Sequence, residues 1–440
     1  MPTSILADAV LRRPVPAASQ RPGAGSQYIG PRRRALERNG LGRWRRALAA
    51  LPLLLAGAAS AATYPLPPPG EDLVGEPGEA VVAPGETLLD IARRHGLGLE
   101  ELKAANPGVD PWLPEPGRRI LLPTHHILPP GPREGIVVNL PELRLYYFPP
   151  PGPDGRRVVE TYPLGIGAEG RSIPLGRTRI VGKRRDPPWV VPASIREEHA
   201  REGDPLPPVV PPGPDNPLGR FALRLGFPGY LIHGTHRPFS VGMRVSHGCL
   251  RLYPEDIERL YARVPVGTPV RIESRPVKVG WSGGRLYVEA HPPLEEERRR
   301  GLSLTPLVRA VLRRVRGPVP EAVWDEAMAV VRAARGIPQP LPSSRGLEPA
   351  PRGWLLQAGA FREATAARHE ARRLARLTHG LLEAEMRLAG DGKWCRVVLG
   401  PYPDRAAARA ERERLRRLGI ESHLLPAALG GEPCTPPSSR

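Results

Sequence analysis

The chain is short of several residue types. It has three cysteines in 440 residues, four lysines against 60 arginines, and only 5% aromatics. Three cysteines exclude a disulfide-dense secreted scaffold. No apolar run reaches the roughly 18 residues of a membrane-crossing helix, which excludes a polytopic membrane protein. With so little lysine, the net charge of +19 is almost wholly guanidinium. That predicts anionic partners, although an arginine-favouring, GC-rich genome accounts for part of the excess. Glycine (48) and proline (59) are abundant, just under the share of about 25–30% at which low-complexity disorder becomes the default. At roughly 150 residues per domain, the length predicts about three folded modules joined by Pro-rich linkers.

Residues 1–61 read as an N-terminal extension and signal peptide. Arg32, Arg33, Arg34, Arg43, Arg45 and Arg46 precede an apolar stretch from Ala47 to Ala59, and Ala59-Ser60-Ala61 supplies small residues before a cut. The expectation is export to the periplasm or cell envelope, with no stable membrane span after cleavage. No cysteine ends the apolar stretch, so a lipid anchor is not supported. In an oxidising compartment an odd cysteine is unpaired or kept reactive. A Cys395–Cys434 bridge would leave Cys249 free and close a loop worth about 4 kcal/mol on the chain-entropy model.

Residues 62–78 read as a Pro-rich linker, and 79–124 as strand, helix, helix, strand. Thr87 is placed to cap a helix, with Asp90 in capping-box position and Leu88, Ile91 and Ala92 on one face. Asn106-Pro107 stops the second helix. Pro84-Gly85-Glu86-Thr87-Leu88, Ala105-Asn106-Pro107 and Ile120-Leu121-Leu122-Pro123 together resemble the LysM domain. That resemblance implies binding to peptidoglycan or chitin strands through N-acetylglucosamine.

Residues 134–274 alternate apolar and polar in short runs such as Ile136-Val137-Val138, Leu143 to Phe148 and Tyr230 to His233, the pattern of an all-β core. The proline-rich stretch from Lys183 to Leu218 has almost no periodicity and reads as an ordered loop bordering a site. One helix is expected at Pro254 to Val264, with Pro254 at its first position and Glu255 and Asp256 at its positive end. Residues 275–350 read as a helical and Pro-rich linker region, and 428–440 as a disordered tail. Residues 351–427 repeat a strand–helix pattern that gives βαββαβ. Gln357-Ala358-Gly359-Ala360-Phe361 and Arg396-Val397-Val398-Leu399-Gly400-Pro401-Tyr402 resemble the SPOR domain, a family that binds glycan strands stripped of stem peptides. An RNA-recognition module shares the strand order, but its aromatic signature is missing and the export signal disfavours it. No nucleic-acid partner is expected.

The chemistry concentrates in His233-Gly234-Thr235 and Ser246-His247-Gly248-Cys249-Leu250-Arg251. A histidine beside Cys249 that lowers the thiol pKa from about 8.5 to about 6 raises its thiolate fraction roughly thirtyfold. Gly248 allows a tight turn, and the N–H groups of Gly248 and Cys249 are candidates to hold an oxyanion. Arg251 offers a fixed charge to a substrate carboxylate. Residue types alone leave open an inert buried cysteine, or zinc held by His233, His236, His247 and Cys249.

With Ile173-Pro174-Leu175-Gly176 and Pro214-Asp215-Asn216-Pro217-Leu218-Gly219 upstream, the grouped motif resembles the L,D-transpeptidase family with the YkuD fold. The implied architecture is multidomain: a mainly-β YkuD-like catalytic domain flanked by a small βααβ LysM domain and a βαββαβ, ferredoxin-like SPOR domain. The resemblance implies Cys249 as nucleophile, His233 as proton acceptor and donor, and the Gly234 carbonyl orienting the imidazole. Tyr230, Thr235, Ser246, His247, Gly248 and Arg251 would shape the substrate site. It also implies attack on the meso-diaminopimelate–D-Ala bond of a tetrapeptide stem, release of D-Ala and a thioester. A stem amine, a lipoprotein lysine or water then resolves it, with neither metal nor organic cofactor. A non-catalytic wall-binding protein and an L,D-carboxypeptidase on the same fold are the alternatives.

Overall fold

The computed structural model describes residues 62–299, 301, 303–350, 353–378, 384–388, 393–402, 405–427 and 434. The extension and signal-peptide reading, and the tail reading apart from Cys434, lie outside the described residues.

The small N-terminal module forms from local signals. Thr87 Oγ1 accepts the Asp90 N–H at 3.2 Å and Asp90 Oδ2 accepts the Thr87 N–H at 2.9 Å, so the expected capping box starts helix Leu88–Arg94. Helix Leu99–Ala105 follows, and Asn106 stops it by donating to the Leu102 and Leu121 carbonyls while accepting the Leu121 N–H. Both helices close over strands Gly78–Val81 and Arg119–Leu122 through Leu88, Ile91, Leu102 and Ile120, all fully buried. Burying each such side chain contributes about 1.5–3 kcal/mol.

The catalytic region is built on a nine-stranded mixed sheet. Its order is Ala62–Pro65, Val158–Pro163, Arg144–Phe148, Gly135–Asn139, Pro269–Glu273, Gly176–Arg185, Phe221–Leu225, Leu231–His233 and Leu250–Arg251. The long strand Gly176–Arg185 joins two halves. It pairs with Pro269–Glu273 up to Arg179 and with Phe221–Leu225 from Ile180 on, with a register shift between Ile180 and Gly182. Such an irregularity re-aims a strand, and here it turns the sheet toward the two strands that carry the motif. Helix Pro254–Arg263 forms as expected and buries Ile257 and Leu260 against this core.

Three segments depart from the sequence reading. Residues 62–78, expected as a linker, supply the sheet's edge strand: Thr63 lies opposite Glu160, and Leu73–Val74 pairs with His126–Ile127. Asp72, 2% exposed, accepts the Trp281 N–H and pairs with Arg133 and Arg314. Residues 275–350, expected as a helical and Pro-rich linker or a helical pair packed on a neighbour, form a body with its own core that contains both expected helical stretches. Hairpin Val277–Ser282/Arg285–Ala290 packs Val279, Trp281 and Val288 against Leu307 and Val311 of helix Thr305–Leu312 and Val323 and Ala327 of helix Glu321–Ala333. The stretch from 183 to 218 is not without regular structure. It completes a sheet strand, then forms the pair Trp189–Val190/Val209–Val210 around helix Ala193–Arg201.

The C-terminal module has the expected βαββαβ order, from strand Trp354–Phe361 to strand His423–Pro426, and its four strands form one sheet. Cys395 and Cys434 are bridged with Cα atoms 5.9 Å apart and sit in the core of this module. Cys249 is the free cysteine.

Candidate active site

Backbone pairing brings the two motif segments together. Strands Leu231–His233 and Leu250–Arg251 run parallel, with Ile232 beside Leu250 and His233 beside Arg251. Ile232 and Leu250 are both fully buried in the core. Because side chains alternate, Leu231, His233 and Arg251 point to the other face, and Cys249 immediately precedes strand Leu250–Arg251. Cys249 therefore stands two positions before Arg251, the residue paired with His233. Their side chains are not hydrogen-bonded to each other among the described residues. The Cys249 sulfur lies 3.8 Å from the Gly229 carbonyl.

The imidazole is tightly specified. His233 is 3% exposed and its Nδ1 lies 2.6 Å from the Gly234 carbonyl. A carbonyl only accepts, so Nδ1 carries the proton and the neutral ring keeps its lone pair on Nε2. Burial, then the Arg251 charge, pulls the His233 pKa down to about 3, against the opposing pull of the Gly234 and Leu218 carbonyls. Burial also pushes the Cys249 thiol up, only partly countered by the Leu231 backbone and Arg251. This corrects the expectation of a thiol lowered by its histidine. At rest the pair is a neutral thiol and a neutral imidazole.

The turn into Cys249 is closed by Ser246. Its Oγ accepts the Gly248 N–H at 3.1 Å and donates to the Cys249 carbonyl at 2.7 Å. The Gly248 N–H is thus engaged in the turn, which corrects its expected part in an oxyanion hole. Gly248 has φ +112°, and a Cβ there would lie 3.1 Å from the Arg171 carbonyl and 3.2 Å from the Tyr230 ring. Only glycine fits without strain. The Arg251 guanidinium is mostly buried, and its Nε has no hydrogen-bond partner among the described residues. Burial pulls its pKa down, yet guanidinium stays charged. Thr235 is buried and its Oγ1 accepts the Arg237 N–H at 2.9 Å, a turn contact. Among the described residues, His233, His236, His247 and Cys249 do not gather their ligating atoms closely enough to share one ion.

The L,D-transpeptidase catalytic domain model, YkuD, matches residues 133–272, the LysM model 80–123 and the SPOR model 350–426. The chain is 43% identical over 272 residues to the probable L,D-transpeptidase ErfK/SrfK of Salmonella typhimurium, covering 59% of this chain and 86% of that protein. It is 46% identical over 250 residues to the probable L,D-transpeptidase YcfS of Escherichia coli, covering 55% and 77%. The chain belongs to the L,D-transpeptidase family. Its LysM and SPOR modules bind peptidoglycan and indicate association with the cell envelope.

In this L,D-transpeptidase the sequence reading missed residues that surround the motif from afar. Glu198, on helix Ala193–Arg201, accepts two hydrogen bonds from Arg171 at 2.7 and 2.8 Å and lies 3.4 Å from His247 Nε2. Burial and then Arg171 pull the His247 pKa down, while Glu198 opposes them. Arg244, at the start of the motif strand, is paired by Glu296 at 2.8 Å, which also accepts the Gly170 N–H. None has a local signature, since each pair joins segments more than 25 residues apart in the chain.

Proposed function

We propose that this enzyme is an exported peptidoglycan transpeptidase in which Cys249 attacks the carbonyl between the L-centre of meso-diaminopimelate and terminal D-Ala of a tetrapeptide stem. The supporting observation is a buried, neutral His233 whose Nδ1–H is committed to Gly234, which puts the ring's lone pair on Nε2. A raised thiol and a lowered imidazole disfavour a standing ion pair, so the proton passes from sulfur to Nε2 as the S–C bond forms. Histidine–thiol hydrogen bonds are often loose before substrate binds and tighten in the complex.

His233 then gives the proton to the departing amine, D-Ala leaves, and a thioester remains on Cys249. A stem-peptide amine gives a 3-3 crosslink, a lipoprotein lysine gives a wall-bound lipoprotein, and water gives carboxypeptidase activity. Arg251 receives a substrate carboxylate, and Tyr230, His247 and Gly248 line the approach. Ser246 holds the turn, and Thr235 braces the strand end behind His233. The N-terminal leader delivers the chain to the periplasm.

The test is incubation with tetrapeptide stems followed by intact-mass and peptide mapping. An acyl adduct on Cys249 with loss of one D-Ala is expected. A Cys249→Ala variant that still released D-Ala would overturn the reading.

A further inference from the structure

The LysM module grips both ends of the segment that carries the nucleophile. Upstream of Ser246, Gly98 meets Gly242 backbone to backbone, and a Cβ on Gly98 would lie 2.7 Å from Gly242 Cα. The Gly242 carbonyl accepts the Glu100 N–H at 3.2 Å, and Met243 packs on the LysM core. Downstream of Arg251, Tyr253 Oη donates to the Leu97 carbonyl at 3.1 Å. Arg93 makes two hydrogen bonds to Glu255, at 2.9 and 3.0 Å. Alongside, Arg144 of the catalytic sheet, 1% exposed, places Nη2 2.7 and 2.6 Å from the two Glu101 oxygens. Glu101 in turn accepts the Gly98 N–H and starts helix Leu99–Ala105.

A backbone contact at two glycines and a buried ion pair leave no slack. A flexible tether would raise the local stem concentration smoothly with reach, whereas a fixed mount permits one offset between the sugar-binding module and the sulfur. We propose that the substrate is a stem peptide still carried on a glycan strand, held by LysM so that a stem at one set distance along that strand enters at Cys249. This rests on the transpeptidase reading above and adds a length requirement to it.

The experiment uses the full chain and uncrosslinked glycan strands of defined length, every stem a tetrapeptide, with the free disaccharide tetrapeptide for comparison. D-Ala release is measured at equal stem concentration. kcat/KM is expected to stay flat for short strands, rise about tenfold or more at one threshold length, and stay flat beyond it. A smooth rise with length, or none, overturns the proposal. Gly98→Val drives a side chain against Gly242. The motif strand has its own ladder to residues 164–167, so the wedge displaces the module and not the motif. Its expected effect is loss of the step with free-stem turnover kept, and a parallel fall on both substrates counts against the proposal. The length series on the unaltered protein decides even if this variant fails to fold. Absence of a Cys249 adduct at every length would defeat the transpeptidase reading, whereas adducts formed equally well at all lengths would defeat only the spacing.

Discussion

Glu142, in the turn after strand Gly135–Asn139, and Arg144, the first residue of the next strand, send opposite charges into different neighbours. Arg144 meets Glu101 of the LysM module and Thr161. Glu142 meets Lys278 at 2.7 Å, in the body formed by residues 275–350. Lys278 also contacts Glu289 at 2.9 Å, the Ile127 carbonyl at 2.7 Å and Tyr146 Oη at 3.1 Å. Burial would push the Lys278 ammonium down, but Glu142 and Glu289 more than offset it. A buried ion pair adds little net stability over a well-packed apolar contact, but removing one partner is costly. The two clusters therefore select which module docks where. They differ in position: the Arg144 cluster adjoins the turn that grips the nucleophile segment, and the Lys278 cluster joins other elements.

The largest effect should come from Lys278→Met, which strands two buried carboxylates and costs about 3–5 kcal/mol, read by denaturant melts. D-Ala release by the folded fraction should stay unchanged, and a specific loss of turnover would erase the contrast between the clusters. Arg144→Met should cost less, about 2 kcal/mol, because burial already raises the Glu101 pKa and the carboxyl can neutralise by taking up a proton. It should selectively lower turnover on long strands.

The two clusters also respond differently to acid. Burial would raise the Glu142 carboxyl, but Lys278 and His291 bring it down to about 2. A group depressed in the folded state contributes stability above its unfolded pKa of about 4.3, and loses it as pH falls toward the folded value. Acid melts should show that slope in the native protein. Arg144→Met should enlarge the opposite contribution, because Glu101, its pKa already raised by burial, loses the guanidinium that held it down and so loses more stability as pH rises past about 4.3. A wild-type-like profile in Arg144→Met would mean that Glu101 is not sequestered. The smallest effect concerns Cys249. With its thiol raised by burial, iodoacetamide should label it more slowly than free cysteine at about pH 7 and faster as pH climbs. Rapid labelling near neutrality would restore the lowered-thiol picture.

Signals confined to a few neighbouring residues were legible in the sequence. The Thr87–Asp90 box, the stop at Asn106 and helix Pro254–Arg263 are such local choices. The motif made Cys249 and His233 candidates because His233-Gly234-Thr235 and Ser246 to Arg251 are short contiguous runs at the end of one strand and the start of the next. In residues 275–350 the two helices were legible, and the hairpin was missed because proline and arginine masked it. Its turn signal, Ser282-Gly283-Gly284-Arg285, with both glycines at positive φ, was nonetheless present. An inward-facing Lys278 runs against the usual apolar-in pattern, and its partners lie more than 130 residues away or on the facing strand. The direction of the thiol shift was illegible for another reason: burial belongs to the folded surroundings, and no residue pattern encodes it locally.

The edge strand Ala62–Pro65 begins where the sequence puts the leader's cut. Tyr64 Oη donates to the Thr124 carbonyl and Thr63 Oγ1 accepts from Arg259, so the chain is latched down within three residues of that cut. A chain lacking those few residues would lose this hem and bare the ladder of Val158–Pro163, an open invitation to strand addition from another molecule. The strand that covers this edge, on this geometry, guards against aggregation.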